Sequence, residues 1–408
     1  MLQEECKEKI LSEEYRDFMM RDTGALGKNF PLENGCRIPL KYGFELFYID
    51  QSEDRKKSLA DYPYTMVPKC YTTLDMAAIQ QAGIAAVQNI PGLELSGEGV
   101  LVGIIDTGIN YLDPIFRNLD GSTRIQRIWD QEEQSGTAPR GIGYGSEYTK
   151  EQINQAILSE NPKETVPSFD TDGHGTFVAS VACGGANPEN LFIGAAPEAE
   201  MVIVKLKEAK EYLREYYFVD RDAGCYQEND LVAAVFYLQK VQEELKRPLV
   251  ICLAVGTSFG GHGGYSILSE YLQNVAASEG IGIVTGSGNE ADKRHHYLGI
   301  LEQENNLPVE INVGNNTRGF VMELWTELPN LLALSIASPT GQTVGPISLK
   351  RGIGEYVFVF EQTRVIFNYR VLVETTGAQL AFFQFDRPGS GIWKIIPETL
   401  ELGNGIFH

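Results

Sequence analysis

Val100-Leu-Val-Gly-Ile-Ile-Asp-Thr-Gly108 is the stretch whose reading decides the fold. Apolar residues fill it on both sides of one glycine, with no polar residue alternating among them. So short and so apolar a run predicts a strand buried on both faces. Similar runs recur at Met201–Lys205, Leu249–Val255 and Ile281–Thr285. Helical patterns are predicted at Leu74–Val87, Gly175–Cys183, Leu231–Lys246 and Ser266–Ser278. Buried strands alternating with helices predict an α/β fold with a mainly parallel sheet flanked by helices.

Outward from this block the texture changes twice. Beyond Asn289, short apolar runs at Val309–Val313, Phe320–Leu324, Leu331–Ile336, Tyr356–Phe360, Val365–Leu372 and Leu380–Phe385 are separated by Gly, Pro and Asn. That pattern predicts a β-sandwich or jelly roll. Toward the N-terminus, Glu4–Met20 is predicted as a helix and Phe44–Ile49 as a strand, while Gln51–Lys57 reads as an exposed charged stretch.

The 408 residues carry 34 basic and 55 acidic side chains, a formal charge of −21. So acidic a chain is a poor partner for nucleic acid, whose phosphates need clustered Lys and Arg, and for anionic membrane surfaces. No apolar run approaches the ~18 residues of a membrane span. The N-terminus has no apolar signal-peptide core, which predicts a cytoplasmic location. The six cysteines form no CxxC pair and are read as reduced thiols. No motif implies a cofactor: there is no P-loop, no GxGxxG and no acidic calcium loop, and the metal expectation is none.

Three constellations carry chemistry. Asp106 directly follows the Val100–Ile105 strand, at the carboxyl end where chemistry collects in open α/β sheets; it could equally cap the next segment. His174, in Asp170-Thr-Asp-Gly-His-Gly-Thr176, opens a small-residue helix between two glycines that permit close approach. A helix N-terminus disfavours imidazolium and so suits a general base; a histidine packed in a turn is the plainer alternative. Asn289, in Thr285-Gly-Ser-Gly-Asn-Glu290, could present its side-chain NH₂ to an oxyanion, or simply form a turn.

Together, in this order, the three resemble the subtilisin-like serine proteases, the subtilases. The resemblance implies that Asp106 orients His174 as base and that Asn289 builds the oxyanion hole. Asp113-Pro-Ile-Phe-Arg-Asn-Leu-Asp-Gly-Ser-Thr-Arg-Ile125 and Ile128-Trp-Asp-Gln131 narrow it to the clostridial Csp-type group, which is similar to germination proteases of spore-forming anaerobes. That group carries a jelly-roll insertion after the oxyanion Asn, and Pro388-Gly-Ser-Gly-Ile-Trp-Lys394 is like the segment that closes it. The implied division is 1–70, standing where a propeptide would; 71–298, a partial catalytic domain; 299–400, the jelly-roll insertion; and 401–408, the start of the return. Ala254, Val255 and Gly256 would line the cleft and pair with an extended polypeptide substrate.

A subtilase serine opens a helix after the oxyanion Asn. The lone Gly-Thr-Ser here, Gly256–Ser258, precedes Asn289 and runs into Gly260-Gly-His-Gly-Gly264, which cannot propagate a helix. It is rejected as nucleophile. Cys183, half a turn around from His174 and ~13 Å along the same helix, is rejected too. Two expectations follow: a sequence that stops before the serine, or a natural pseudoprotease acting as a binding or regulatory protein.

Overall fold

In a computed structural model the described residues are 2–21, 35–54, 58–73, 83–88, 90, 95–187, 192–290, 293–302, 307–347, 352–373 and 376–408. The helix predicted at 74–87 therefore lies largely outside them, and Ile84–Gln88 is helical.

The N-terminal part departs from expectation. Of the stretch Glu4–Met20 read as a helix, only the part up to Leu11 is helical. Tyr15–Arg21 is strand β1, which with β2 (Cys36–Pro39) and β3 (Phe44–Asp50) forms an antiparallel sheet in the order β1-β3-β2. β1 pairs along its full length with β3, from Tyr15 opposite Asp50 to Arg21 opposite Phe44. Phe18 and Met20 then join one apolar cluster and Met19 another, a period of two that the helical reading missed. Cys6 and Cys36 are joined by a disulfide that ties the helix to β2, so the reading of six reduced thiols is corrected. A separation of 30 residues with no local motif gave no sign of it.

Next come β4 (Cys70–Thr73), β5 (Leu101–Asp106), β6 (Ile125–Asp130), β7 (Ser146–Thr149), β8 (Glu200–Lys205), β9 (Tyr226–Gln227), β10 (Leu249–Leu253), β11 (Val255–Gly256) and β12 (Ile281–Thr285). The central sheet runs β12-β10-β5-β8-β6-β7, parallel throughout except for β7. β5 is buried along its whole length, and its residues alternate between two cores. Leu101 and Ile105 face the helix Glu228–Leu245, while Val102 and Ile104 face the helix His174–Cys183. Gly103 sits where a Cβ would lie 2.6 Å from Leu238 Cδ1, so the longer helix can approach only because that side chain is missing. None of the helices is long and apolar enough to cross a membrane, among the described residues.

The remaining strands are β13 (Gly299–Ile300), β14 (Val309–Val313), β15 (Gly319–Glu327), β16 (Leu331–Ala337), β17 (Thr343–Ile347), β18 (Ile353–Phe358), β19 (Thr363–Arg370), β20 (Ala378–Asp386), β21 (Gly391–Glu401) and β22 (Ile406–Phe407). They form two antiparallel sheets, β13-β22-β15-β20-β19-β18 and β14-β21-β16-β17, over a core that includes Leu334, Phe385 and Trp393. Gly299 pairs with Phe407, so the first and last strands of this sandwich lie side by side. Ile406–Phe407 thus lies in the sandwich sheet, not in a return to the parallel sheet.

Candidate active site

The alternation of β5 puts Asp106 on the side of Val102 and Ile104, toward the helix His174–Cys183. That parity brings its carboxylate to the first turn of the helix. His174 Nδ1 lies 2.7 Å from Asp106 Oδ1, which also accepts the Thr107 N–H at 2.7 Å. An ionised carboxylate only accepts, so Nδ1 carries the proton and Nε2 is the imidazole's basic nitrogen. Asp106 is fully buried, and burial pushes its carboxyl above the usual range against the pull of His174 and the Thr107 N–H.

A second carboxylate braces this pair, and the sequence reading gave it no role. Asp170 Oδ1 accepts from Thr107 Oγ1 at 2.9 Å and the Gly173 N–H at 2.9 Å. Its Oδ2 accepts from the Thr176 N–H at 2.8 Å and from Thr176 Oγ1 at 2.6 Å. Burial alone would raise this carboxyl, but the hydrogen bonds from Thr176, Gly173 and Thr107 outweigh it and hold it below the usual range. Thr107 Oγ1 in turn accepts the Gly175 N–H at 2.8 Å, so the turn after β5 and the helix start are bolted together. A Cβ on Gly175 would fall inside van der Waals contact of the Gly108 carbonyl oxygen. The sequence signal was an Asp four positions before the His, followed two positions after it by a Thr.

The other candidates lie along the same sheet edge. Leu253 pairs with Ile105 and with Thr285, so β5, β10 and β12 end in register. The Gly286 N–H donates to the Leu253 carbonyl at 3.2 Å, and exposed Asn289 follows three residues on. Ala254 is buried; Val255 and Gly256 form β11. That edge is not open. Val255 pairs with Thr73 and Gly256 with Thr72, while on its other side β4 pairs with β9. The chain's own Cys70–Thr73 thus lies as an extended strand between two edges, in the place foreseen for a peptide. Ser258 is exposed in a bend past β11, and the next helix begins only at Ile267. His295, in the exposed pair with His296, faces Glu290, with Nδ1 2.5 Å from Oε2. Among the described residues no three His, Cys, Asp or Glu side chains are grouped to hold a metal ion.

The signature of the subtilase family matches residues 97–317, which include Asp106, His174 and Asn289. The chain belongs to the subtilase family. Its fold is similar to that of the Clostridium perfringens CspB protease, with a TM-score of 0.68 and 28% identity, covering 79% of this chain and 65% of that one. This supports the Csp-type resemblance drawn from residues 113–131 and the subtilisin-like fold. Among curated relatives, this subtilase is 33% identical over 102 residues to the subtilisin-like protease SBT2.2 of Arabidopsis thaliana, covering 23% of this chain and 12% of the relative. It is 23% identical over 326 residues to the PI-type proteinase of Lactococcus lactis subsp. cremoris, covering 76% of this chain and 15% of the relative. The subtilase chain therefore spans only a small part of the curated relatives it matches.

Proposed function

We propose that the protein is a serine endopeptidase acting on extended polypeptides. Asp106 holds the Nδ1 proton of His174. His174 Nε2 takes the proton of a serine hydroxyl and returns it to the leaving amine. The Asn289 side chain donates to the tetrahedral oxyanion. The observation that carries this reading is the 2.7 Å pairing of His174 and Asp106 at the carboxyl end of β5. The residues of β11 bind substrate backbone by strand addition, once β4 has left. Residues 1–70 act as a propeptide-like segment, residues 299–400 as a jelly-roll insertion, and the Csp resemblance supports a role in spore germination and a cytoplasmic or spore-associated location.

A second reading, a catalytically inactive binding or regulatory protein, is favoured by the placement of Ser258, exposed in a bend and not at a helix start. Fluorophosphonate labelling and peptide hydrolysis by the native protein decide between them. The protease reading expects labelling and turnover, both lost in His174→Ala, with turnover falling on the order of 10⁴-fold in Asp106→Asn. Peptide binding with no labelling favours the binder. Turnover abolished by Ser258→Ala would overturn the rejection of that serine.

A further inference from the structure

Cys70 and Cys225 are buried free thiols outside both the Asp106–His174 pair and the N-terminal disulfide. Cys70 opens β4, the strand seated in the cleft, and Cys225 immediately precedes β9 beside it. In the ladder between these strands Cys70 faces Gln227 and Tyr71 faces Tyr226, which sets Cys225 diagonally across from Cys70. The two side chains share an apolar cluster with Val67, Leu213 and Tyr217. The Cys225 carbonyl accepts the Ala209 N–H at 2.8 Å. The Arg214 guanidinium donates to the Asp220 and Ala223 carbonyls at 3.2 and 2.8 Å, pinning the exposed turn that leads to Cys225. At Gly224, between them, a Cβ would meet nothing within 4 Å, so the backbone there has room to shift.

We propose that Cys70 and Cys225 form a reversible disulfide that fastens β4 in the cleft, with hydrogen peroxide as the oxidant. The fastening rests on the reading of β11 as the substrate-binding edge. Cys225 reacts first: the neighbouring Cys70 thiol and the charge of Arg214 hold its thiol below the usual range, while Cys70 is pushed up. The Cys225 thiolate attacks peroxide; an S–O bond forms, the O–O bond breaks, and the departing hydroxide takes up a proton to leave as water. The Cys70 sulfur then attacks the Cys225 sulfur of the sulfenic acid. The S–S bond forms, the S–O bond breaks, and the second water carries away the Cys70 proton. Two thiols and one peroxide give one disulfide and two waters. Closure needs the sulfurs at ~2.05 Å, and the open space around Gly224 leaves the turn before Cys225 room to move for it. A dithiol reverses it by exchange.

The test uses the full chain carrying a site-specific protease recognition sequence inserted after Thr73. Cys6–Cys36 lies wholly in the N-terminal piece and cannot link the two halves. After peroxide treatment and cutting, the pieces should stay joined on a non-reducing denaturing gel and separate with dithiothreitol. Cys70→Ser and Cys225→Ser should each abolish the link, and disulfide mapping of the uncut native chain should find Cys70 joined to Cys225 without any substitution. Pieces that separate after oxidation, or stay joined in Cys225→Ser, overturn the proposal. Amide exchange at Tyr71–Thr73 in the uncut chain should slow at least tenfold on oxidation, and unchanged exchange overturns the fastening. Neither readout needs a substrate. Binding of an extended peptide to β11 tests the cleft reading separately, so the two failures stay distinct.

Discussion

A methyl group at position 175 has nowhere to go, because the turn at Gly108 already occupies the space. Gly175→Ala should therefore push the helix start away from β5 and separate His174 from Asp106. The downfield Nδ1 proton signal expected of the native pair should be lost, together with a lowered thermal midpoint. Asp170→Ala removes a buried acceptor from Thr107, Gly173 and Thr176, and should cost about 1–3 kcal/mol in denaturant unfolding. Its pH dependence has a defined sign. A carboxyl held below its ordinary pKa adds stability that is present above the unfolded value of about 3.9 and is lost as pH falls through the folded value. The difference between native and variant should narrow on acidification below that point, and a constant gap would contradict the assignment. Asp106 and His174 were legible as residues because each sits in a short local motif at a strand end or helix start. Asp170 was not, because its partners Thr107 and Thr176 meet only once the helix has docked on β5.

At the level of elements, β5 and β8 could be read from sequence because a strand covered on both faces must be apolar throughout, whereas β12, read the same way, is an edge strand with Val284 exposed. β1 could not: Phe18, Met19 and Met20 are contiguous, and only pairing with β3 sorts them onto two faces. The seat of β4 was equally hidden, since nothing in Cys70-Tyr-Thr-Thr73 announces that it runs between β9 and β11. That seat predicts the effect of Thr72→Pro. A strand with neighbours on both sides loses a ladder hydrogen bond and meets a steric block when proline enters it. β4 should leave, and backbone amides of β11 should exchange at least tenfold faster. Unchanged protection would show that β4 is not what covers that edge.

For the whole molecule, Glu323 of β15 joins three regions. Its carboxylate accepts from Tyr64 Oη at 2.7 Å, the Gly260 N–H at 2.8 Å and Trp325 Nε1 at 2.9 Å, binding the N-terminal part and the loop after β11 to the sandwich. Burial raises its pKa, so the folded protein holds this proton more tightly than the unfolded chain does. Its charge therefore costs stability as pH rises from the unfolded value of about 4.3 through the folded one. Glu323→Gln should gain on the native protein across that window, and level off above it, in urea titrations at stepped pH; a gap independent of pH would sink this account. The sandwich was legible from its short runs and frequent turns, but its two ends were not, because β13 and β22 are two-residue strands without pattern. Their pairing carries a consequence for chain entropy. Bringing the ends of a flexible segment of ~100 residues together costs roughly 4 kcal/mol of chain entropy. Here the pairing of Gly299 with Phe407 brings the two ends of the sandwich together within its own sheet. Loops at the far end of the sandwich can lengthen or shorten without disturbing that pairing, and natural variation in this region should concentrate there.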